Sequence, residues 1–574
     1  MITIDETLMQ WLLGAVVALP LLGAAAALLP APPGLRGRDP EQAVLRHGVT
    51  VTGVVLAAAV LLAAGFDTGQ AARMQAETDL EWIPALGIHL RLGVDGVSLP
   101  LLVLTALLTF LCALHSYARM PEGPSARGFV ALLLVLESGT LATFAVQDLM
   151  LFFLAFEMVL VPMYFLISRW GGEDRARAAW TFILYTLLGS VVMLLGLLLI
   201  GLHAGTFDMT ALAGLQGATM SRSVQILAVL ALGIGFAVKT PMWPLHSWLP
   251  DAHTAAPTAG SVLLAGVLLK MGTYGLVRIV LPVAPEGAEF FAPYLAAFAV
   301  TGIIYGSLAC LHLVRRGSGG DLKRLIAYSS VGHMGFVLLG IATLTPTGVN
   351  GALFANIAHG LITGLLFFLA GAVKERTGTT RLDVLAGGGG ARFYGRAPRF
   401  GGVLAFAAVA SLGLPGLAGF WGEMLALLGA YRPAEGLSRP VFLTAMAVAA
   451  FGTLLTAAYL LIVVRRVCMG DAPPLPLAPG GASPLPSTAP ETTATAGTSV
   501  PGGATPGDAA AGTVGEGTVT VAASRTGDLP DLRAHEYAAF TPLVLLTLLA
   551  GLWPAVLLHL TDPAVQSLLP GVGP

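Results

Sequence analysis

Seven ionisable residues stand inside runs of sequence that are otherwise apolar: Glu137, Glu157, Lys239, Lys270, His333, His359 and Glu423. Each run is long enough to cross a bilayer, and all but Lys239 and Glu423 lie within a few residues of the middle of theirs. A charge at the bilayer centre costs at least about 2.5 kcal/mol on insertion scales, so such residues face protein or water and often mark ion routes. Glu157 and Lys239 carry opposite charges. In a dry interior each favours the other's ionised form, while desolvation pushes both toward neutrality. A neighbouring charge can then switch them: drawn toward Lys270, Lys239 is biased to release its proton, and drawn toward Glu157 it keeps it. A static ion pair tying two helices is the plainer reading of Glu157 with Lys239, but it leaves Lys270 without a carboxylate of its own. His333 and His359, on successive runs, can exchange protons near neutral pH through their ring nitrogens. Glu137, alone in its run, reads equally as a hydrogen-bonded packing element. His115, His246, His253 and His312 fall at the ends of runs and read as interfacial groups.

The elements that must position these residues follow from composition. With 56% apolar and 11% charged residues, and a mean hydropathy of +0.81, the chain has too little polar surface for a soluble globule of its length. Its net charge of -2 offers no basic face for nucleic acid. A bilayer core about 30 Å thick needs roughly 20 apolar helical residues. On that basis fourteen spans are predicted, near 8 to 29, 48 to 65, 97 to 117, 129 to 147, 149 to 168, 180 to 201, 224 to 249, 258 to 280, 292 to 314, 325 to 343, 350 to 372, 402 to 430, 441 to 464 and 538 to 560. The runs are continuously apolar, whereas barrel strands alternate, so the fold class is an all-α polytopic membrane protein. The first run follows Asp5 and Glu6 without a basic leader and reads as a retained span.

Charge sets the expected orientation. Alternate connections hold 22 basic residues on one side and six on the other, and Lys239 and Lys270 inside the spans make up the 30. The positive-inside rule puts the richer side in the cytoplasm and both termini outside. Cys112, Cys310 and Cys468 lie far apart, without the paired spacing of a zinc or iron-sulfur site, so no metal, redox centre or disulfide is expected.

Two spans look broken. In the seventh, Lys239 is followed by Pro241 and Pro244, each of which removes a backbone donor and clashes with the preceding turn. In the twelfth, Gly413, Pro415, Gly416 and Gly419 precede Glu423. Interrupted helices in corresponding places of two halves point to an ion site in transporters built from inverted repeats. Spans 4 to 8 would match spans 9 to 13, aligning Lys239 with Glu423 and Glu157 with the region of His333. The expected organisation is 1–128 for helices 1 to 3, 129–280 and 281–470 for the two five-helix repeats, and 536–574 for helix 14. Between them, 471–535 is rich in Pro, Gly, Ala, Thr and Ser and reads as a disordered cytoplasmic loop.

Several motifs carry a resemblance. KTPMWPLHSWLPDAH from Lys239 to His253, followed by LLKMGTYG from Leu268 to Gly275, is similar to the signature of the antiporter-like proton-translocating subunits of respiratory complex I (NADH-quinone oxidoreductase). Further similarity lies in LGVDGVS from Leu92, FEMVLVPMY from Phe156, LIAYSSVGHMG from Leu325 and LGLPGLAGFWGE ending at Glu423. The resemblance spans roughly 85 to 470 closely. Within that family the M type carries an acidic residue on the broken twelfth span, where the L and N types and sodium/proton antiporter subunits typically carry lysine, so Glu423 points to the M type.

The resemblance implies a hydrophilic axis of Glu157, Lys239, Lys270, His333, His359 and Glu423 in a multi-pass protein of the cell membrane. It also implies neighbours of the L and N types, and NADH, FMN, iron-sulfur clusters and quinone bound by other subunits, with no cofactor in this chain. The alternatives are a subunit of a multi-chain sodium/proton antiporter and a structural membrane anchor.

Overall fold

The computed structural model describes residues 5–29, 39–387, 391–470 and 529–569. Among them thirteen helices are long and apolar enough to cross a membrane. They are α1 (Glu6–Leu28), α2 (Pro40–Gly65), α3 (Ser98–Ala118), α4 (Ala126–Ala145), α5 (Leu149–Trp170), α6 (Arg175–Ala204), α7a (Arg222–Lys239), α8 (Thr258–Val283), α9 (Pro285–Leu313), α10 (Leu322–Ala342), α11 (Pro346–Thr377), α13 (Arg439–Met469) and α14a (Ala534–Leu552). Span 12 is made of two shorter helices, α12a (Pro398–Ala410) and α12b (Ala418–Tyr431). The seventh span stops at Lys239 and resumes as α7b (Trp248–Ala255), because Pro241 and Pro244 cannot continue the ladder. The last span also breaks, at Trp553 and Pro554, and continues as α14b (Ala555–Leu568).

Helices α8, α10 and α11 form the buried centre, with nine-tenths or more of their apolar windows inside the protein for α8 (100%) and α11 (94%). Glycines let the backbones close on one another, as small residues do in membrane bundles. A methyl on Gly335 of α10 would meet the Ala299 carbonyl of α9 at 2.7 Å, and one on Gly306 would meet the Tyr328 carbonyl at 2.8 Å.

Helix starts are capped by side chains that accept the otherwise orphaned amides. Asp148 accepts from Met150 and Leu151 at the start of α5, and Asp321 accepts from Arg324 at the start of α10. Both aspartates also sit in a short backbone bridge, Asp148 with Asp208 and Asp321 with Arg381. The bridges are built alike: Leu149 donates to Phe207 and Met209 to Gln147, while Leu322 donates to Thr380 and Leu382 to Gly320.

One feature departs from an all-helical chain. Between α2 and α3 an antiparallel hairpin forms from β1 (Gln75–Ile83) and β2 (Ile88–Val94). Arg91 pairs with Asp79 on the opposite strand and with Asp208. The Arg91 hydrogen bond holds the Asp79 carboxyl below the usual aspartate range. A depressed carboxylate loses its contribution only as pH falls through the folded value, so this clamp persists through neutral and mildly acidic pH. The membrane helices thus have a hairpin end and, opposite, a basic end where Arg119, Lys323, Lys374 and Arg533 gather.

The predicted loop 471–535 lies outside the described residues as far as 528. Its last residues are pinned: Arg376 donates to the Pro530 and Asp531 carbonyls and grips Glu536 of α14a with both arms at 2.5 and 2.6 Å.

Gly96, at the hairpin end, has the Leu560 carbonyl of α14b directly where a side chain would start. Gly96→Ala is expected to cost about 1–3 kcal/mol, as overpacking does, and to lower the melting temperature in detergent. Gly233→Ala, whose added methyl meets nothing within 4 Å, is the control and should melt like the parent.

Candidate proton pathway

Four of the seven residues singled out by sequence form one continuous row. Its start depends on a local irregularity of α8, which widens into π-helical turns over Leu264–Leu268. The wider turn brings the Ala265 carbonyl to Lys270 Nζ at 2.5 Å, and Nζ also donates to His359 Nδ1 of α11 at 2.6 Å. The His359 ring lies 5.9 Å, centroid to centroid, from that of His333 on α10. His333 Nδ1 in turn meets Glu423 Oε1 at 3.1 Å, while its Nε2 meets the Ser411 hydroxyl at 2.9 Å. With Nδ1–H donating to the carboxylate, Nε2 accepts from Ser411; with the ring charged, both nitrogens donate. The row alternates groups that can hold and hand on a proton.

Glu423 owes its place to the break in span 12. Gly413 has φ +72°, a left-handed conformation that glycine adopts without strain. A Cβ there would stand 3.0 Å from Glu423 Oε2, so the glycine also keeps room for the carboxylate. A cavity of about 20 Å³ is lined by His333, His359, Thr363, Ser411 and Glu423, enough for one water. Both His359 Nε2 and Glu423 Oε2 are buried without a protein partner, and such atoms are normally satisfied by solvent.

Glu157 and Lys239 stand apart from this row. Lys239 ends α7a, where unpaired carbonyls and the helix dipole favour a cation. Its Nζ has no hydrogen-bond partner and sits 4.5 Å over the Phe156 ring, next to Glu157 in sequence. Glu157 is only partly buried and makes no ion pair within 4 Å. Glu137 is fully buried in α4, with neither carboxylate oxygen partnered, and no hydrogen bond or ion pair joins it to the other six.

Sequence reading left His253 at an interface, but the structure buries it completely. It stacks on Phe367 at 4.5 Å with both ring nitrogens unpartnered, within electrostatic reach of Lys270 and Lys323. Only its position between two prolines, Pro250 and Pro257, signals that the chain turns inward there. Beside it, Lys323 donates to the Ala256 carbonyl at 2.7 Å and lines a vestibule of about 680 Å³ at the basic end, together with His115, Arg119, Lys374, Glu375 and Arg533. His115 and His246 are likewise buried, and His312 is exposed. Among the described residues no group of three or more His, Cys, Asp or Glu side chains could hold a metal, and the three cysteines are free.

Broken helices flanking a mid-membrane row of Lys, His and Glu define the class, a polytopic membrane protein of antiporter-like build. The family model for the membrane part of NADH:quinone oxidoreductase and Mrp antiporter subunits matches residues 146–460. NADH-quinone oxidoreductase subunit M of Rhodobacter capsulatus is 37% identical over 98% of this chain and 97% of its own. An NAD(P)H-quinone oxidoreductase chain 4 of a Picosynechococcus strain is 40% identical over 83% of this chain and 84% of its own. This chain belongs to the subunit M family of NADH-quinone oxidoreductases. A chain of respiratory complex I from Thermus thermophilus superposes with a TM-score of 0.75 at 28% identity, covering 98% of this chain and all 100% of that one. A chain of the Mrp complex from Dietzia, at 22% identity, shares the fold, with a TM-score of 0.75 over 99% of this chain and 98% of its own.

A map that resolves solvent is expected to show one ordered water between His359, His333 and Glu423. Empty density there would show that no water completes the row.

Proposed function

We propose that this chain carries protons through the membrane arm of an NADH-quinone oxidoreductase along Lys270, His359, His333 and Glu423, with Glu157 and Lys239 as the switch that loads the row. The observation that carries the reading is the row from Lys270 Nζ to Glu423, hydrogen-bonded at both ends and joined in the middle by the neighbouring rings of His359 and His333 across a water-sized cavity. Protonated Lys270 can give a proton to His359 Nδ1. His359 then offers Nε2–H through the small cavity to His333 Nε2, which can accept once the Ser411 hydroxyl turns its proton away, while His333 passes its Nδ1 proton to Glu423. Each step exchanges one N–H or O–H bond for another, so no net charge is created along the row. Lys239, with its ammonium unpartnered beside an aromatic wall, lies within electrostatic reach of Glu157 and is free to respond to its charge. Glu137 lies off the row and is assigned a lesser part.

The positive-inside rule supports placing the basic end in the cytoplasm and both termini outside, in the cell membrane. The vestibule beside Lys323 and His253 is then the way in, and release runs outward past Glu423. The capped and bridged aspartates Asp148 and Asp321 start α5 and α10 at opposite ends of the bundle, which supports reading helices α4 to α8 and α9 to α13 as inverted repeats. As a subunit of that enzyme the chain has other complex I subunits as partners, and we assign neighbours of the L and N types. NADH, FMN, iron-sulfur clusters and quinone belong to other subunits in this reading, and the energy of quinone reduction reaches the row by electrostatic and conformational coupling.

The test is NADH-driven proton pumping in vesicles carrying Lys239→Ala, Glu157→Ala or His359→Leu, with assembly followed on native gels. Quinone reduction and pumping are expected to fall together by about tenfold or more, as when a positioned proton-transfer group is lost. Normal rates in assembled complexes of all three variants would reduce these residues to packing roles.

A further inference from the structure

The row leaves Lys270 sideways, and the two directions along α8 itself are built very differently. Toward the basic end lie His253 with two unpartnered ring nitrogens, Lys323 and the open vestibule. Toward the hairpin end, α8 carries Tyr274 and Arg278, four and eight residues beyond Lys270 and both buried. Tyr274 donates to the Phe144 carbonyl at 3.2 Å and meets the Phe144 ring edge-on at 5.2 Å. Below that aromatic layer, Arg278 donates to Asp95 Oδ2 at 2.7 Å and to Gln147 Oε1 at 3.1 Å, and Nη2 lies 3.2 Å from Met74 Sδ.

The partners are themselves fixed. Asp95 Oδ1 accepts from the Val97 and Ser98 amides at the start of α3, and the Gln147 amide donates to Arg91 of β2. None of Tyr274, Arg278, Asp95 and Gln147 has a buried polar side-chain atom left unpartnered, in contrast to Lys239, His253 and His359.

Arginine suits this place for a chemical reason. A guanidinium has five donors, no acceptor, and a pKa above about 12, so it can neither take up nor release a proton at neutral pH. Its charge is balanced by Asp95, and in turn it occupies the Asp95 Oδ2 that could otherwise take up a proton, so the pair offers neither a donor to release one nor a free acceptor to receive one. Tyr274 offers a hydroxyl that is already committed to a carbonyl.

We propose that Arg278, clamped by Asp95 and Gln147 beneath the Tyr274 and Phe144 layer, is a proton seal that closes α8 toward the hairpin end. Lys270 is thereby open only to the basic end and to His359. Arg278 is a positioning residue, and the proposal rests on the row described under Proposed function. The seal prevents a proton on Lys270 from crossing directly, which would dissipate the gradient without passing Glu423.

The experiment measures passive proton leak in vesicles holding the assembled complex, after an imposed pH step and with no NADH. Arg278→Gln is expected to raise the leak about tenfold, equivalent to a barrier lowered by about 1.4 kcal/mol. Adding Lys270→Ala to the same chain should return it to the parental level. A merely structural role would lower assembly or turnover without moving the leak, so an assembled Arg278→Gln complex that stays as tight as the parent overturns the proposal. A leak that survives Lys270→Ala overturns it too, because passage then avoids α8. Should Arg278→Gln fail to assemble, Arg278→Lys decides. It keeps the charge but replaces the two-armed grip with a group that can release its proton, so a leak above the parent is expected and a parental leak overturns the seal. Failure of the row itself shows differently, as normal NADH-driven pumping in Lys270→Ala, a measurement independent of the leak.

Discussion

Titratable side chains in a medium without water have to be stabilised by the protein alone, and the architecture follows from that constraint. A lysine or glutamate near mid-membrane needs a partner, a dipole or a trapped water. Lys270 has a carbonyl freed by a π-helical turn and an imidazole nitrogen. Glu423 has His333. The three innermost helices that bring these groups together, α8, α10 and α11, are shielded from lipid by the others, so the polar row sits inside an apolar jacket.

The same constraint explains the breaks. In lipid an interrupted helix is tolerated only where protein or a cavity satisfies the freed backbone groups. Here the interruptions do more than survive. Lys239 occupies the C-terminal end of the half-helix α7a, the negative end of its dipole, and Glu423 lies in the second turn of the half-helix α12b, toward its positive end. The cation is therefore placed where a half-helix favours it, whereas Glu423, one turn in from the end of α12b, relies on His333; the two flank the central lysine and histidines. Strict pairing would hold the charges still. Dipoles and partial pairing leave them able to change state.

In the proposed route, direction would come from packing rather than from the titratable groups. Lysine and histidine pass protons equally well either way, and a row of them is a wire. What would give such a wire sides is the unequal filling around it: a vestibule and orphaned nitrogens toward the basic end, an aromatic layer and an arginine held by Asp95 and Gln147 toward the hairpin end. The hairpin, pinned through Arg91, supplies the β2 backbone against which Gln147 is held, so an element far from the row helps to fix its boundary.

Much of this protein was legible in its residues one run at a time. Continuous apolar stretches demand helices in lipid because no other open structure satisfies its own backbone there, so fourteen spans, their approximate limits and the interruptions near Lys239 and Glu423 could be read directly. The rarity of charge in such runs likewise singled out seven residues, four of which the structure brings into one row. The relations between runs were not legible. That Lys270 meets His359 rather than Lys239, that His253 is enclosed rather than interfacial, that α8 widens into π-turns and that Arg278 finds Asp95 and Gln147 all depend on helices distant in sequence. The hairpin and the break at Pro554 were missed for different reasons: Ile88-His89-Leu90-Arg91-Leu92 alternates as a strand does but is short beside the apolar runs, and a single proline near a span end carries no periodic signal. Hydrophobic length is a local property and is written along the chain, whereas the partner of a buried charge is chosen by which helix faces pack together, and only the tertiary structure decides that.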